Sequence, residues 1–150
     1  MSPPPRTPAR RAGAPGGDAA LLRLARTIAT LRESDVATPL EAALDQIAAV
    51  YADGSVAAAL YETWLARRRV TRPDKTRVLA LGWAREQVRL ALEELLEAEA
   101  RRGRARSDIS ADTLAWVLLA GCEAIAHEPP GGAPERIKML LTIAGAARAQ

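Results

Sequence analysis

The chain is poor in the residues that carry most protein chemistry. Its 150 residues hold one cysteine, Cys122, one histidine, His127, and no phenylalanine. One cysteine excludes an intramolecular disulfide framework. One cysteine with one histidine leaves too few soft ligands for a protein-built zinc site. Tyr and Trp together make up 3%, so Ala and Leu must supply most of a core. Ala favours helices and is a weak strand former, which points to an all-helical protein and away from a sandwich or barrel. Long apolar runs are missing as well. The best candidate, 113–126, is interrupted by Glu123 and followed by Pro129-Pro130, short of the roughly 20 residues that span a bilayer. The amino terminus has arginines but no apolar run of signal-peptide length. The expectation is a cytoplasmic protein without a membrane partner.

The charge that is present is nearly all arginine on the basic side. Lysine occurs only at 75 and 138, with a net charge of +3 and a pI near 9.6. The arginines cluster. Arg6, Arg10 and Arg11 lie near the start. Arg67, Arg68, Arg69, Arg72, Lys75 and Arg77 form a second group, and Arg101, Arg102, Arg104 and Arg106 a third. Two readings stay open: solvated inter-helix loops, whose cations favour helix C-termini, or contacts to phosphate.

Along the chain, residues 1–17 are rich in Pro, Gly and Arg and read as a disordered tail that buries too little to order itself. Residues 18–150 read as one helical domain. A first helix begins at Asp18 and ends near Ser34-Asp35. A second begins at Pro39, with Thr38 as N-cap and Glu41 completing a capping box, and stops at Asp53-Gly54. Ser55 is the expected cap of a third helix, which runs into the Arg67–Arg69 cluster. A long fourth helix is expected from Asp74 to Arg102, with Leu79, Trp83 and Leu90 widening its buried stripe along its first half and a solvated acidic face at its end. Gly103 ends it. Ser110 caps a fifth helix, and the PPGG segment at 129–132 separates it from a sixth near Ala133.

The last two helices are unusually apolar. Leu114, Val117, Leu118, Gly121, Cys122 and Ile125 share a face of the fifth, and Ile137, Leu140, Leu141 and Ala144 a face of the sixth. A small single domain has limited interior for two such helices. The expected solution is self-association, each pair meeting its twin about a two-fold axis in a four-helix bundle. Burial inside one chain is the alternative.

The run ISADTLAWVLLAGCEAIAHEPPGGAPERIKMLLTIAG at 109–145, with EELLEAEARRGRARSDIS before it, resembles the carboxyl-terminal end of tetracycline-repressor (TetR) family regulators. The resemblance spans about residues 20–149 and rests on helix lengths and punctuation. It implies a helical ligand-binding domain that homodimerises through its last two helices and takes a ligand among its middle helices. The family's DNA-reading segment carries an I-A-x-x-A-G-V-S element and a following aromatic element. Here only Thr27-Ile28-Ala29-Thr30 matches a fragment. The expectation is therefore a domain without its own reading head, either a truncated or alternative-start product or a domain that works headless, with direct DNA binding not expected. Its partners would be a second copy and a full-length family relative. The alternative is a helical interaction module that pairs with and modulates such a regulator and takes no small molecule.

No P-loop, dinucleotide fingerprint or H-E-x-x-H is present. Cys122 and His127 sit five apart on one helix and do not face each other. Cys122 reads as a small core residue and His127 as a residue favoured at a helix C-terminus. Glu93, Glu94 and Glu97 read as solvated carboxylates. No reaction, cofactor or metal is expected. What the middle of the chain does offer is aromatic rings: Tyr51, Tyr61, Trp64 and Trp83 lie in the second to fourth helices. Neighbouring Ala48, Ala57, Ala58, Ala80 and Ala84 leave room beside them. This predicts an aromatic-lined site for a small apolar or aromatic ligand, with Gln87 orienting it; a plain aromatic core is the alternative. A ligand preferring one arrangement of these helices would shift a dimer between two states.

Overall fold

The computed structural model describes residues 16–68 and 75–146, together with Ser2. The chain is all-α, with six helices and no strand among the described residues. They are α1 (Gly17–Arg32), α2 (Pro39–Tyr51), α3 (Gly54–Arg67), α4 (Lys75–Arg101), α5 (Ala111–Ala126) and α6 (Ala133–Ile143), with a single 3-10 turn at Pro130–Gly132 before α6. The expected tail lies outside the described residues except for Ser2, Gly16 and Gly17, and Gly17 already belongs to α1. Arg6, Arg10, Arg11, Arg69 and Arg72 lie outside them as well.

Helix α4 is the spine. α1 lies along one side of it and α5 along another. α2 fills the space between α1 and α5, α3 covers the first part of α1 and α4, and α6 closes over α5 and α2. The packing follows the apolar spacing. Leu21, Leu24 and Ile28 of α1, Leu40, Leu44 and Ile47 of α2, and Leu81, Val88, Leu92 and Leu95 of α4 meet in one buried core with Leu114 and Leu118 of α5. Gly17 allows α1 and α3 to touch: a Cβ there would stand 2.6 Å from the Cβ of Ala59.

Several local expectations are corrected. Thr38 precedes Pro39 as foreseen but forms no side-chain cap, so the capping box does not close. Its ψ is 68°, whereas the two residues whose side chains do cap, Asp53 and Ser110, have ψ of 127° and 143°. α3 is capped by Asp53 rather than Ser55, the carboxylate accepting from the backbone N–H of Ser55 (2.9 Å) and Val56 (3.4 Å). Gly54 therefore opens α3 rather than stopping α2. On α4, Leu79 and Trp83 are 73% and 58% exposed, because neighbouring helices cover the second half of α4 more fully than the first. The acidic end is not wholly solvated either. Glu99 is buried and accepts from Arg104 at 2.6 and 2.7 Å and from Arg102 at 3.1 Å.

Candidate functional site

A cleft opens where the end of α2, the outer side of α3 and the end of α5 converge. Its volume is about 200 Å³, and its walls are Tyr51, Ala57, Leu60, Tyr61, Trp64, Glu123, Ala126 and His127. Local structure explains the convergence. α2 and α3 are separated by Ala52 and Asp53 alone, and the Asp53 cap fixes the first turn of α3. Val56, Ala59 and Thr63 then point into the core, which turns Ala57, Leu60, Tyr61 and Trp64 toward α5. Tyr61 and Trp64 stack with centroids 5.8 Å apart and planes 17° from parallel. The Arg68 guanidinium sits 4.6 Å from the Trp64 ring centre, a cation–π contact that holds the indole.

The polar groups of the cleft are few and specific. Tyr51 is 1% exposed, and its hydroxyl is the only buried side-chain polar atom among the described residues without a hydrogen-bond partner. Burial, and next the nearby Glu123 charge, push this phenol well above its ordinary value, so it stays protonated and able to donate. Glu123 is half-buried and ion-paired with Arg85 of α4, which engages its Oε1. His127 caps the C-terminus of α5 and is exposed. Cys122 is fully buried beside the Leu44 carbonyl (4.0 Å), and burial, with Asp45 and Glu123 nearby, pushes its thiol up to about 12. It is an inert core residue, as the sequence suggested.

Of the residues expected to bind a ligand, Tyr51, Tyr61 and Trp64 come together. Trp83 and Gln87 do not join them. They line a separate, shallower groove of about 360 Å³ between α1 and α4, with Leu22 and Glu94. Sequence reasoning missed Glu123 and His127 as parts of the cleft, and left open whether Arg85 points into it; Arg85 is not in the wall but stands behind it, paired with Glu123. The available signal was that Glu123 is the one charged residue within Leu114–Ala126.

The residues expected at a dimer interface are also redistributed. Leu114, Leu118, Cys122, Ile125, Ile137, Leu140, Leu141 and Ala144 are buried inside the single chain. α2 and α4 cover the α5 residues, and α5 and α2 cover those of α6, where a second copy was expected. Only Val117 and Gly121 of that set are partly exposed. The outward side of α5 and α6 instead presents Trp116, Ala120, Ala124 and Met139. There a groove of about 490 Å³ is lined by Gly121, Ala124, Met139, Arg136, Glu135 and Glu128, among others. Gly121 lets α6 pack closely on α5 there, since a Cβ on it would meet Leu140 Cδ2 at 2.5 Å.

Three of the four arginines of the third cluster are paired within the chain. Arg102 and Arg104 serve Glu99, and Arg106 pairs with Asp108 at 2.6 Å. Among the described residues, no group of His, Cys, Asp and Glu could hold a metal ion, and no helix is long and apolar enough to cross a membrane. No family model, curated protein or solved structure matches the chain.

Proposed function

We propose that this chain is the ligand-sensing and dimerisation part of a transcriptional regulator of TetR-like design. The observation that carries this reading is the Tyr51 hydroxyl. Buried polar groups are almost always partnered, and leaving one unpaired costs about 1–3 kcal/mol. Tyr51 belongs to the wall of an aromatic cleft with its hydroxyl buried beneath the surface, and a molecule that enters there and displaces the side chains over it can supply the missing partner.

The route from cleft to output runs through α5. Arg85–Glu123 and Arg89–Asp112 tie α5 to α4. A ligand that engages Glu123 acts on the first tie, and so biases how α5 sits on the spine. The opposite surface of α5, with α6, is the self-association surface of this proposal. Bulky Trp116 and Met139 lie on the same surface as the groove floored by Gly121 and Ala124. A two-fold contact needs this pairing of projection and recess on one patch, and Arg136 beside Glu135 and Glu128 gives it charges of both signs.

Thermal-shift screening of the whole chain against single-ring aromatic molecules tests the sensing role. A saturable rise in midpoint, growing with ligand concentration above the dissociation constant, is expected. Absence of any shift across neutral, anionic and cationic members would remove the sensing role and leave a helical interaction module.

A further inference from the structure

Resting on the sensing role of the α2–α3–α5 cleft, we infer that its ligand is a neutral single-ring phenol, whose hydroxyl accepts a hydrogen bond from Tyr51 and donates one to Glu123. Size sets the first limit. An engineered apolar cavity of about 150 Å³ holds benzene, so a cleft of about 200 Å³ matches one ring with a small substituent. The walls set the second. Leu60, Trp64 and Ala126 offer apolar and aromatic surface to the flat of a ring.

Charge sets the third. Glu123 is already balanced by Arg85. A ligand carboxylate would face the Glu123 charge, and a ligand ammonium would have to compete with Arg85 for Glu123. A neutral polar group meets neither penalty. The hydrogen-bond complement then narrows the chemistry further. The Tyr51 hydroxyl needs a partner and remains a donor. Arg85 occupies Oε1 of Glu123, and no protein donor meets Oε2 among the described residues. Tyr61 and His127 at the rim are exposed and can be served by water, so the less exposed part of the cleft offers one donor and one acceptor. A phenolic hydroxyl answers both with a single atom, accepting from one and donating to the other. A bare hydrocarbon ring answers neither.

Titration calorimetry on the intact chain tests this with four probes of matched size: p-cresol, toluene, benzoate and benzylamine. The expected result is one p-cresol per chain, bound roughly 10-fold or more tightly than each of the others, as befits two added hydrogen bonds. Tyr51→Phe and Glu123→Gln should each weaken p-cresol by about 5–10-fold while leaving toluene unchanged, and Trp83→Ala should leave all four unchanged. Circular dichroism of the variants checks that they fold, and the selectivity of the unmodified chain stands without them. Equal binding of toluene and p-cresol, or tighter binding of benzoate or benzylamine, would overturn the phenol assignment while leaving a sensing cleft in place. Binding of none of the four would overturn both.

Discussion

Tyr51 shows how a single atom can trade stability for recognition. Its ring fills the core between α2 and its neighbours, but its hydroxyl has no partner there. Tyr51→Phe keeps the ring and removes the unsatisfied oxygen. It should stabilise the ligand-free chain by about 1 kcal/mol, seen as a rise of roughly 3–5 °C in melting midpoint, while weakening the ligand. A lower midpoint would mean that the hydroxyl is satisfied in solution. Glu99 is the opposite case. Burial alone would raise its pKa, but hydrogen bonds from Arg104 and Arg102 outweigh that and hold it below the ordinary value of 4.5. A depressed folded pKa stabilises the chain above the unfolded value, and that stability is lost as the pH falls through the folded one. Urea unfolding should therefore find Glu99→Gln less stable than the native chain by about 1–2 kcal/mol near neutral pH, with the gap closing as the pH falls below the ordinary carboxylate range and Glu99 takes up its proton. The aromatic half of the cleft was legible in the sequence because rings are rare here and their spacing can be read. Glu123 was not, because sequence periodicity does not tell which neighbour faces a charge that interrupts an apolar helix.

Helix ends were read well where a glycine or a serine decides them and poorly where the backbone has a choice. Gly103 ends α4 at a φ of 71°, with Arg104 N–H bonded to the Glu99 carbonyl (2.8 Å) and Gly103 N–H to that of Ala100 (3.0 Å). This is the left-handed Schellman stop that glycine favours. Gly145 repeats it after α6 at a φ of 74°, and there Arg106 N–H also reaches the Ala144 carbonyl at 2.8 Å. The two glycines differ in surroundings. A Cβ on Gly103 meets open space, while one on Gly145 would stand 2.9 Å from the Arg106 nitrogen. Gly103→Ala should cost about 1 kcal/mol, the conformational penalty alone. Gly145→Ala should cost more, about 2–3 kcal/mol, because backbone must move as well. Chemical denaturation of the two variants checks the order, and equal losses would show that Arg106 yields freely. The first turns of α2 and α3 were less legible. Thr38, Asp53 and Ser55 are all plausible caps by type, and only the local ψ decides which side chain can reach back.

Taken whole, the six helices and their single core follow from the apolar spacing, whereas the surface through which the chain meets others does not. Periodicity reveals that a helix face is apolar, but not whether its cover comes from the same chain. The expected stripe of α5 turned out to be filled by α2 and α4. The greater surprise is outside it, where Trp116 remains 66% and Met139 61% exposed. If that patch joins two copies, sedimentation equilibrium should give a dimer at micromolar concentrations. Trp116→Glu with Met139→Glu should then give a monomer of unchanged helical content, since neither side chain supports the core. A monomer at every concentration would confine the proposal to the cleft. The cleft itself has a built-in reporter in Trp64, stacked on Tyr61 and lying in its wall. In a chain with Trp83 and Trp116 replaced by tyrosine, Trp64 is the sole indole, and its emission can be followed during titration with p-cresol. A saturable change with one ligand per chain, lost in Tyr51→Phe, is the expected result; emission that stays constant, or drifts linearly without saturation, would mean that nothing binds beside Tyr51 and that this chain does not sense such a molecule.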